Sequence, residues 1–485
     1  MNILCLTSEA APFAKIGGLA DVMAALPRQL HRAGHDVKVF LPFYGTVDTG
    51  RGRFSLVPGL NDIDIRLGPH QYQVSIVAAE APGYPLAVHL VHCPVLYHRA
   101  SIYTSDPDEH LRFLVLSAAA LAACQRLGFA PDVVHCNDWQ TALTPLALKT
   151  LYAWDRLFER ARTLLSIHNL QYQGSFGGHI VGDMGMGGSS HLFHQDQLRA
   201  GRVNFLLHGI LYADGISTVS PTYAQEIQTE QHGAGLDSYL RARSSTVVGI
   251  LNGVDYDEWS PDRDSHIVQR YTADDLAGKE RNKEALLAAL GLPYLPGVPV
   301  IGMVSRLAGQ KGFALLREAL PDLLRRHGFQ LAVLGSGEGR FEEMFAQMQQ
   351  AFPRQVCFYR GFSNRLAHMI EAGADMFLMP SIYEPCGLNQ MYSLRYGTVP
   401  IVHRTGGLAD TVRQWNPSTG EGNGILFEHH DEAGLRWAIE AALVLYRDRG
   451  AWRRLMRNGM GEDFSWDAQA RLYEQLYARL QNVRP

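Results

Sequence analysis

Two doubly wound α/β domains are predicted for this chain, and three observations predict them. Short apolar, β-branched runs alternate with amphipathic helical stretches, as parallel strands joined by crossover helices require. The alternation runs twice, before and after a stretch at 249–264, "GILNGVDYDEWSPDRD", where Gly, Asn, Asp and Pro break the periodicity. Finally, 485 residues are long for one core and suit two domains of about 200 residues or more. The expected division is residues 1–250, residues 251–465, and a terminal helix over 466–485 that crosses back to the first domain.

The first half opens with the strand "NILCL" at 2–6, followed by a glycine-containing loop and a helix over roughly 19–33. "HDVKVFLP" at 35–42 is the next strand, and the alternating segment 59–80 predicts hairpins or edge strands. "FLVLSAAALAACQRLGF" at 113–129 is too short, and too polar at its end, for a membrane span and reads as a buried helix. Strands "PDVVHCND", "RTLLSIHN" and "ADGISTVS" follow, each ending in polar residues. The second half repeats the plan. "VPVIGMVSRL" leads to a helix from near 311, then come "FQLAVLGSG", "QVCFYRGF", "ADMFLMPS" and "TVPIVHRT". The stretch 453–480 predicts one or two terminal helices.

Composition narrows the function classes. A formal charge of -4 gives no electrostatic case for a nucleic-acid partner and is compatible with a neutral polymer. The six cysteines form no CxxC pair, so neither a zinc site nor a disulfide scaffold is indicated, and buried reduced thiols are expected. The N-terminal run lacks the basic region and long apolar core of a signal peptide. A cytoplasmic protein with no membrane partner is the expectation.

In doubly wound sheets ligands bind outside the carboxyl ends of the strands, so polar residues just after strands are the candidates. In "SEAAPFAKIGGLADV", Gly17 and Gly18 precede a helix whose backbone donors suit phosphate oxygens, Lys15 adds a mobile cation, and Asp21 lies in the first turn. A plain structural loop explains the Gly-Gly pair equally well. It is neither a Walker motif nor GxGxxG, which removes the best warrant for nicotinamide chemistry. In "VSRLAGQKG", Arg306 and Lys311 repeat the strand, basic loop, helix arrangement and suit a departing diphosphate. "PSIYEPCGLNQ" at 380–390 places Glu384, Cys386 and Gly387 after an apolar strand. Glu384 suits sugar hydroxyls, positive character at a sugar carbon, or covalent attack. Cys386 has no identifiable His partner and suits pocket packing or sugar contact, while Gly387 permits close backbone approach. His168 ends its strand, where it serves either a sugar hydroxyl or an ordinary internal hydrogen bond. Asp138, Asn252 and Asp255 follow other strands as ligand or turn residues, and Trp139 either faces the site or caps the core. Thr405, Gly406, Gly407 and Asp410 in "RTGGLADT" form another helix entry suited to phosphate or a ring edge.

The ordered set "KIGGLADV", "HCNDWQT", "IHNLQYQG", "STVSPTYAQEI", "LNGVD", "SRLAGQKG", "PSIYEPCGLNQ" and "RTGGLADT" closely resembles bacterial glycogen synthases and plant starch synthases, over almost the whole chain. These are retaining glucosyltransferases of the GT-B fold, with two Rossmann-like domains facing a deep cleft. The resemblance implies transfer of glucose from ADP-glucose to the non-reducing 4-hydroxyl of an α-1,4-glucan such as glycogen or a malto-oligosaccharide, without a protein-bound metal. It implies that Lys15 lies by the donor phosphates and sugar, that Arg306 and Lys311 stabilise the leaving diphosphate, and that Glu384 and Cys386 flank the donor sugar. His168 is then near the reacting glucose, Asp21, Asp138 and Asn252 are in donor or cleft contacts, and Tyr97 lies in an active-cleft loop. It implies the bacterial cytoplasm, or the plastid stroma for a processed plant protein. Three positions depart from the family pattern: Leu207 where relatives often carry lysine, and Ala308 and Asn389 where they often carry threonine. A glycan phosphorylase and a non-catalytic glycan-binding protein are the competing classes. The first would show a pyridoxal-phosphate adduct on a lysine, and the second no turnover.

Overall fold

A computed structural model of the chain describes residues 1–82 and 84–482. It divides into two compact units, the first comprising Met1–Val219, Ala224–Gly253 and the terminal segment from Trp466, the second Ser220–Tyr223 and Val254–Ser465. Positions 483–485 of the predicted terminal helix lie outside the described residues.

The first unit is built on a ten-stranded sheet. Its strands are β1 (Asn2–Leu6), β2 (Asp36–Pro42), β3 (Arg53–Leu56), β4 (Ile63–Leu67), β5 (His70–Glu80), β6 (Val88–His92), β7 (Val133–Asn137) and β8 (Arg162–Ile167). A separate two-stranded hairpin, β9 (Ser175–Gly177) and β10 (Arg202–Asn204), intervenes before β11 (Gly215–Thr218) and β12 (Val247–Gly249) complete the sheet. The order β12-β11-β8-β7-β1-β2-β6-β5-β3 is parallel from β12 to β6 and antiparallel beyond, with β4 paired to β5. The alternating segment therefore becomes the predicted edge hairpin.

The second unit holds β13 (Val300–Val304), β14 (Gln330–Gly335), β15 (Val356–Arg360), β16 (Met376–Met379), β17 (Val399–His403) and β18 (Ile425–Phe427). All pair in parallel, in the order β15-β14-β13-β16-β17-β18. Successive side chains point to opposite faces. Thus Ile301, Leu331, Val333, Met376 and Leu378 join one apolar cluster, while Val300, Ala332, Leu334 and Phe377 join another. Strands buried on both faces read as continuous apolar runs, which is why they were visible in sequence. The three-residue strands β9, β10, β12 and β18 carry too few residues to show a period, and the sequence did not announce them.

In both units the strand order reverses beside the first strand, between β1 and β7 and between β13 and β16. Such switch points open a crevice at the carboxyl ends of the flanking strands. One predicted helix begins later than expected. A 3-10 turn, Gly309–Lys311, precedes the helix Phe313–His327, and Gly312 between them has φ +73. A Cβ on Gly312 would lie 1.7 Å from the Pro380 carbonyl oxygen, so the chain crosses there only as glycine.

Candidate active site

The first unit assembles its polar group at the ends of β1, β7 and β8. Glu9, just beyond β1, is 4% exposed. Its Oε2 accepts the N–H groups of Ile16 at 2.7 Å and Gly17 at 2.9 Å, and its Oε1 accepts the Tyr103 hydroxyl at 2.6 Å. The carboxylate thus shapes the glycine loop and engages one of the backbone donors that the sequence reading offered to phosphate. Gly17 and Gly18 meet nothing within 4 Å where a Cβ would stand, so the protein's own packing does not require them. Lys15 pairs with Asp21 at 2.5 Å, and with 53% and 30% of the side chains exposed the pair contributes about 0–1 kcal/mol. Its cation remains able to turn to a ligand.

Asp138 follows β7 with φ +53, a conformation non-glycine residues keep only where the surroundings impose it. Its Oδ1 accepts the His168 N–H at 2.7 Å and that of Asn169 at 3.4 Å. Burial pushes the carboxyl up to about 7, against the lowering effect of those donors. His168 follows β8. Asn137 Nδ2 donates to the Leu6 carbonyl at 3.0 Å, which turns Asn137 Oδ1 toward His168 Nε2, 2.9 Å away. Nε2 therefore carries the proton. Nδ1 is buried without a partner and keeps its lone pair, and burial holds the ring down at about 4, hence neutral. The histidine makes an internal hydrogen bond through Nε2 and offers an acceptor to a ligand at Nδ1.

Of two predicted contacts, one falls into the core and the other, half-buried, packs at its edge. Tyr97 is 0% exposed and donates its hydroxyl to the Arg112 carbonyl at 2.7 Å, so it lines no substrate surface. Trp139 packs among Phe113, Phe176 and Phe205 at ring separations of 5.1, 5.6 and 6.2 Å, the core-capping alternative. Asn252, 5% exposed, follows β12 in the first unit. Leu207 is buried in the helix Phe205–Tyr212.

The second unit brings its candidates to the switch point between β13 and β16. Arg306 is exposed just after β13. Lys311 Nζ lies 2.5 Å from Glu384 Oε2, which also accepts the Ser381 hydroxyl at 3.0 Å. The lysine is therefore held by a carboxylate that is 8% exposed, not loose in solvent. Gln310 secures the same loop, donating to the Tyr383 carbonyl at 3.2 Å and accepting the Ile382 N–H at 2.8 Å. Cys386 is 4% exposed, a wall group, and Gly387 has φ +73. Thr405 immediately precedes the short helix Gly406–Thr411, whose glycines press on the loop. A Cβ on Gly406 would lie 2.0 Å from the Glu384 carbonyl oxygen, and one on Gly407 would lie 2.1 Å from that of Cys386. Ala308 is the residue before the 3-10 turn, and Asp410 accepts the N–H and hydroxyl of Thr222 at 2.8 and 2.6 Å.

Sequence reasoning missed Glu9, Asn137, Gln310 and Ser381. Glu9 carried a usable signal, being an acidic residue three positions past an apolar strand. Asn137 and Gln310 reveal themselves only through partners distant in sequence, whereas Ser381 lies three positions from Glu384 in the same motif and shows its role only once its hydroxyl is placed.

Comparison with known proteins identifies this arrangement. Residues 2–242 match the family model of the starch synthase catalytic domain, and residues 295–458 that of group 1 glycosyl transferases. The chain is 46% identical to a glycogen synthase of Myxococcus xanthus, covering 98% of this chain and 99% of that one. It is 42% identical to one from Koribacter versatilis, covering 100% and 99%. Among solved structures, the catalytic domain of starch synthase IV from Arabidopsis thaliana, bound to ADP and acarbose, superposes with a TM-score of 0.91 at 36% identity over 99% of both chains. A sucrose-phosphate synthase from Thermosynechococcus elongatus, 18% identical with a TM-score of 0.60, shares the fold. The chain belongs to the glycogen and starch synthase family, and it is a glycosyltransferase with the two-domain GT-B fold.

Proposed function

We propose that this enzyme transfers glucose from ADP-glucose to the non-reducing 4-hydroxyl of an α-1,4-glucan, retaining the anomeric configuration. The observation that carries the reading is the Lys311–Glu384 pair, placed with Arg306 at the switch point of the second sheet. The ADP held by the starch synthase IV domain supports an adenosine diphosphate leaving group.

In the step, the acceptor oxygen bonds to C1 of glucose as the bond from C1 to the diphosphate oxygen breaks. The electron pair leaves with ADP. The acceptor proton passes to the departing phosphate oxygen, on the same face of the sugar. Arg306, Lys311, Lys15 and backbone donors at Gly18, 405 and 406 meet charge that grows on the phosphates, where preorganised donors act most strongly in the transition state. This assignment calls for no protein-bound metal. Glu384, pinned by Lys311 and Ser381, presents a fixed negative charge and an acceptor to the glucosyl group, with Cys386 and Gly387 forming the wall beside it. His168 accepts a sugar hydroxyl at Nδ1, and Asp138 fixes the backbone on which that ring sits. Asp21 orients Lys15, and Asn252 contacts the donor. Trp139 supports from behind. The reading puts the reaction in the bacterial cytoplasm.

Nucleotide release followed in time with ADP-glucose or UDP-glucose, with and without glycogen, tests this when labelled glucose incorporation is tracked in parallel. Glycogen-dependent ADP release matched by incorporation is the expected result. Release without incorporation, or a UDP-glucose preference, would overturn the stated donor or acceptor.

A further inference from the structure

The loop 380–388 carries Glu384 and is anchored in its first half, where Gln310 bonds the backbone of Ile382 and Tyr383 and the Ser220 hydroxyl donates to the Pro385 carbonyl at 2.7 Å. The two residues that follow it are carboxamides, and they reach in different directions. Asn389 begins the helix Asn389–Arg395 and donates its Nδ2 to the carbonyl of Val304, the last residue of β13. That strand leads into the segment bearing Arg306 and Lys311. Gln390 is 0% exposed, and its Nε2 faces the carbonyls of Cys386 at 2.8 Å and Gly387 at 3.2 Å and the Thr411 hydroxyl at 3.2 Å. Thr411 passes the connection on, donating to the Gly407 carbonyl at 2.6 Å. The amide orientation is fixed, because turning it over would set its oxygen against two carbonyls. Backbone contact completes the junction: the Gly407 N–H donates to the Glu384 carbonyl at 3.1 Å.

We infer that Asn389 and Gln390 are positioning residues, a pair of adjacent amides that ties the Glu384 loop to the end of β13 on one side and to the Gly406–Thr411 helix on the other. This rests on the reading of those three segments as the donor site. A charged pair 2.5 Å apart and its neighbouring phosphate donors must keep their places to within a fraction of an ångström, and a displacement of about 1 Å can cost 10²-fold in rate. Glu384 and Lys311 cannot supply that alone, since each is the end of a flexible side chain.

The test uses the full-length enzyme with Gln390→Met, Thr411→Val and Asn389→Ala, measuring kcat, donor KM and melting temperature, with Lys311→Met alongside. The staple predicts a kcat about 10- to 100-fold lower per folded molecule for Gln390→Met, with donor KM within about threefold. Asn389→Ala should show a smaller loss of the same kind. Gln390→Met combined with Thr411→Val should be no worse than the poorer single variant, because both sit in one chain of bonds. Variants that lose melting temperature but keep wild-type kcat per folded molecule would make the amides merely structural and overturn the inference. Multiplicative losses in the double variant would overturn it too. Should Gln390→Met fail to fold, Asn389→Ala and Thr411→Val decide alone. An inactive Lys311→Met beside fully active amide variants would sink the staple only. A fully active Lys311→Met would take the donor-site reading down with it.

Discussion

Lys311 and Glu384 hold one another at 2.5 Å, so an arriving diphosphate meets a lysine already oriented and a carboxylate already partly neutralised. Replacing Lys311 with Met should lower kcat by about 10²- to 10³-fold, as loss of a single preorganised donor does. Glu384→Gln keeps the shape of the side chain, removes its charge and turns one acceptor oxygen into an N–H donor. Steady-state kinetics on it separate an electrostatic role, which predicts a comparable kcat loss, from simple sugar contact, which predicts mainly a KM change. Asp138 gives a prediction in pH. Its folded value of about 7 stands above the ordinary carboxylate value near 4, so the folded chain binds this proton more tightly than the unfolded chain. The stability so gained is complete below about pH 4, declines as the unfolded carboxylate ionises, and is gone above about pH 7. Asp138→Asn keeps the acceptor for the His168 N–H and abolishes the titration. Between pH 4.5 and 7, wild-type stability should therefore fall relative to this variant by up to about 1.4 kcal/mol per pH unit, read from denaturant melts. Parallel curves would show that Asp138 titrates normally. At this scale the sequence shows residue type and position relative to the strand ends, and not the direction of a side chain. The resemblance put Tyr97 in an active-cleft loop, yet its hydroxyl turns inward to the Arg112 carbonyl.

Two glycine pairs that look alike in sequence separate at the scale of elements. Gly17 and Gly18 open the helix Gly18–Arg32 with nothing where a Cβ would stand, and Gly17 has φ -141, which alanine adopts without strain. Gly406 and Gly407 open the helix Gly406–Thr411 against the backbone of 384–386. Gly18→Ala should leave the melting temperature within a degree or two while raising donor KM or lowering kcat, because only a ligand needs the space. Gly407→Ala should unsettle the protein itself by about 2–4 kcal/mol, since backbone, not a yielding side chain, lies 2.1 Å from the new methyl. A reversed order of stability between the two variants would defeat this distinction. The same contrast explains what could be read beforehand. A glycine pair before a helix marks a ligand-facing loop at most; whether it serves ligand or packing depends on a segment elsewhere in the chain. Long parallel strands and their polar ends were visible because each is a local pattern. The Asn389 tie and the Glu9–Tyr103 contact were not, because Asn389 and Val304 lie 85 positions apart and Glu9 and Tyr103 lie 94 apart.

For the whole molecule, the organising feature is a chain that ends in the unit where it began. The terminal helix Trp466–Asn482 belongs with the first unit, where Tyr477 hydrogen-bonds His135 Nδ1 at 2.8 Å and Glu474 meets His35 at 2.8 Å. His135 sits on the central strand β7, and its other nitrogen bonds Ser166 on β8, so the helix reaches the middle of the sheet rather than its rim. Burial pushes His135 down to about 3, and the neutral ring matches the neutral phenol and hydroxyl that hold it. Trp466, Tyr473, Leu476, Tyr477 and Leu480 are all 7% exposed or less. At roughly 1.5–3 kcal/mol for each large apolar side chain taken out of water, their burial is worth on the order of 10 kcal/mol, comparable with the 5–15 kcal/mol that holds a typical domain folded. Removing the helix would also bare the face it covers. A chain ending at Ser465 should therefore fail to give a soluble, cooperatively melting first unit, although every candidate site residue remains in it. Tyr477→Phe should cost about 1–3 kcal/mol, since it keeps the packing but leaves the buried His135 Nδ1 without its partner. Thermal melts and soluble yield of the two variants decide the matter. If the truncated chain melts as sharply as the full one, the terminal helix is an accessory to the first unit and not a wall of its core.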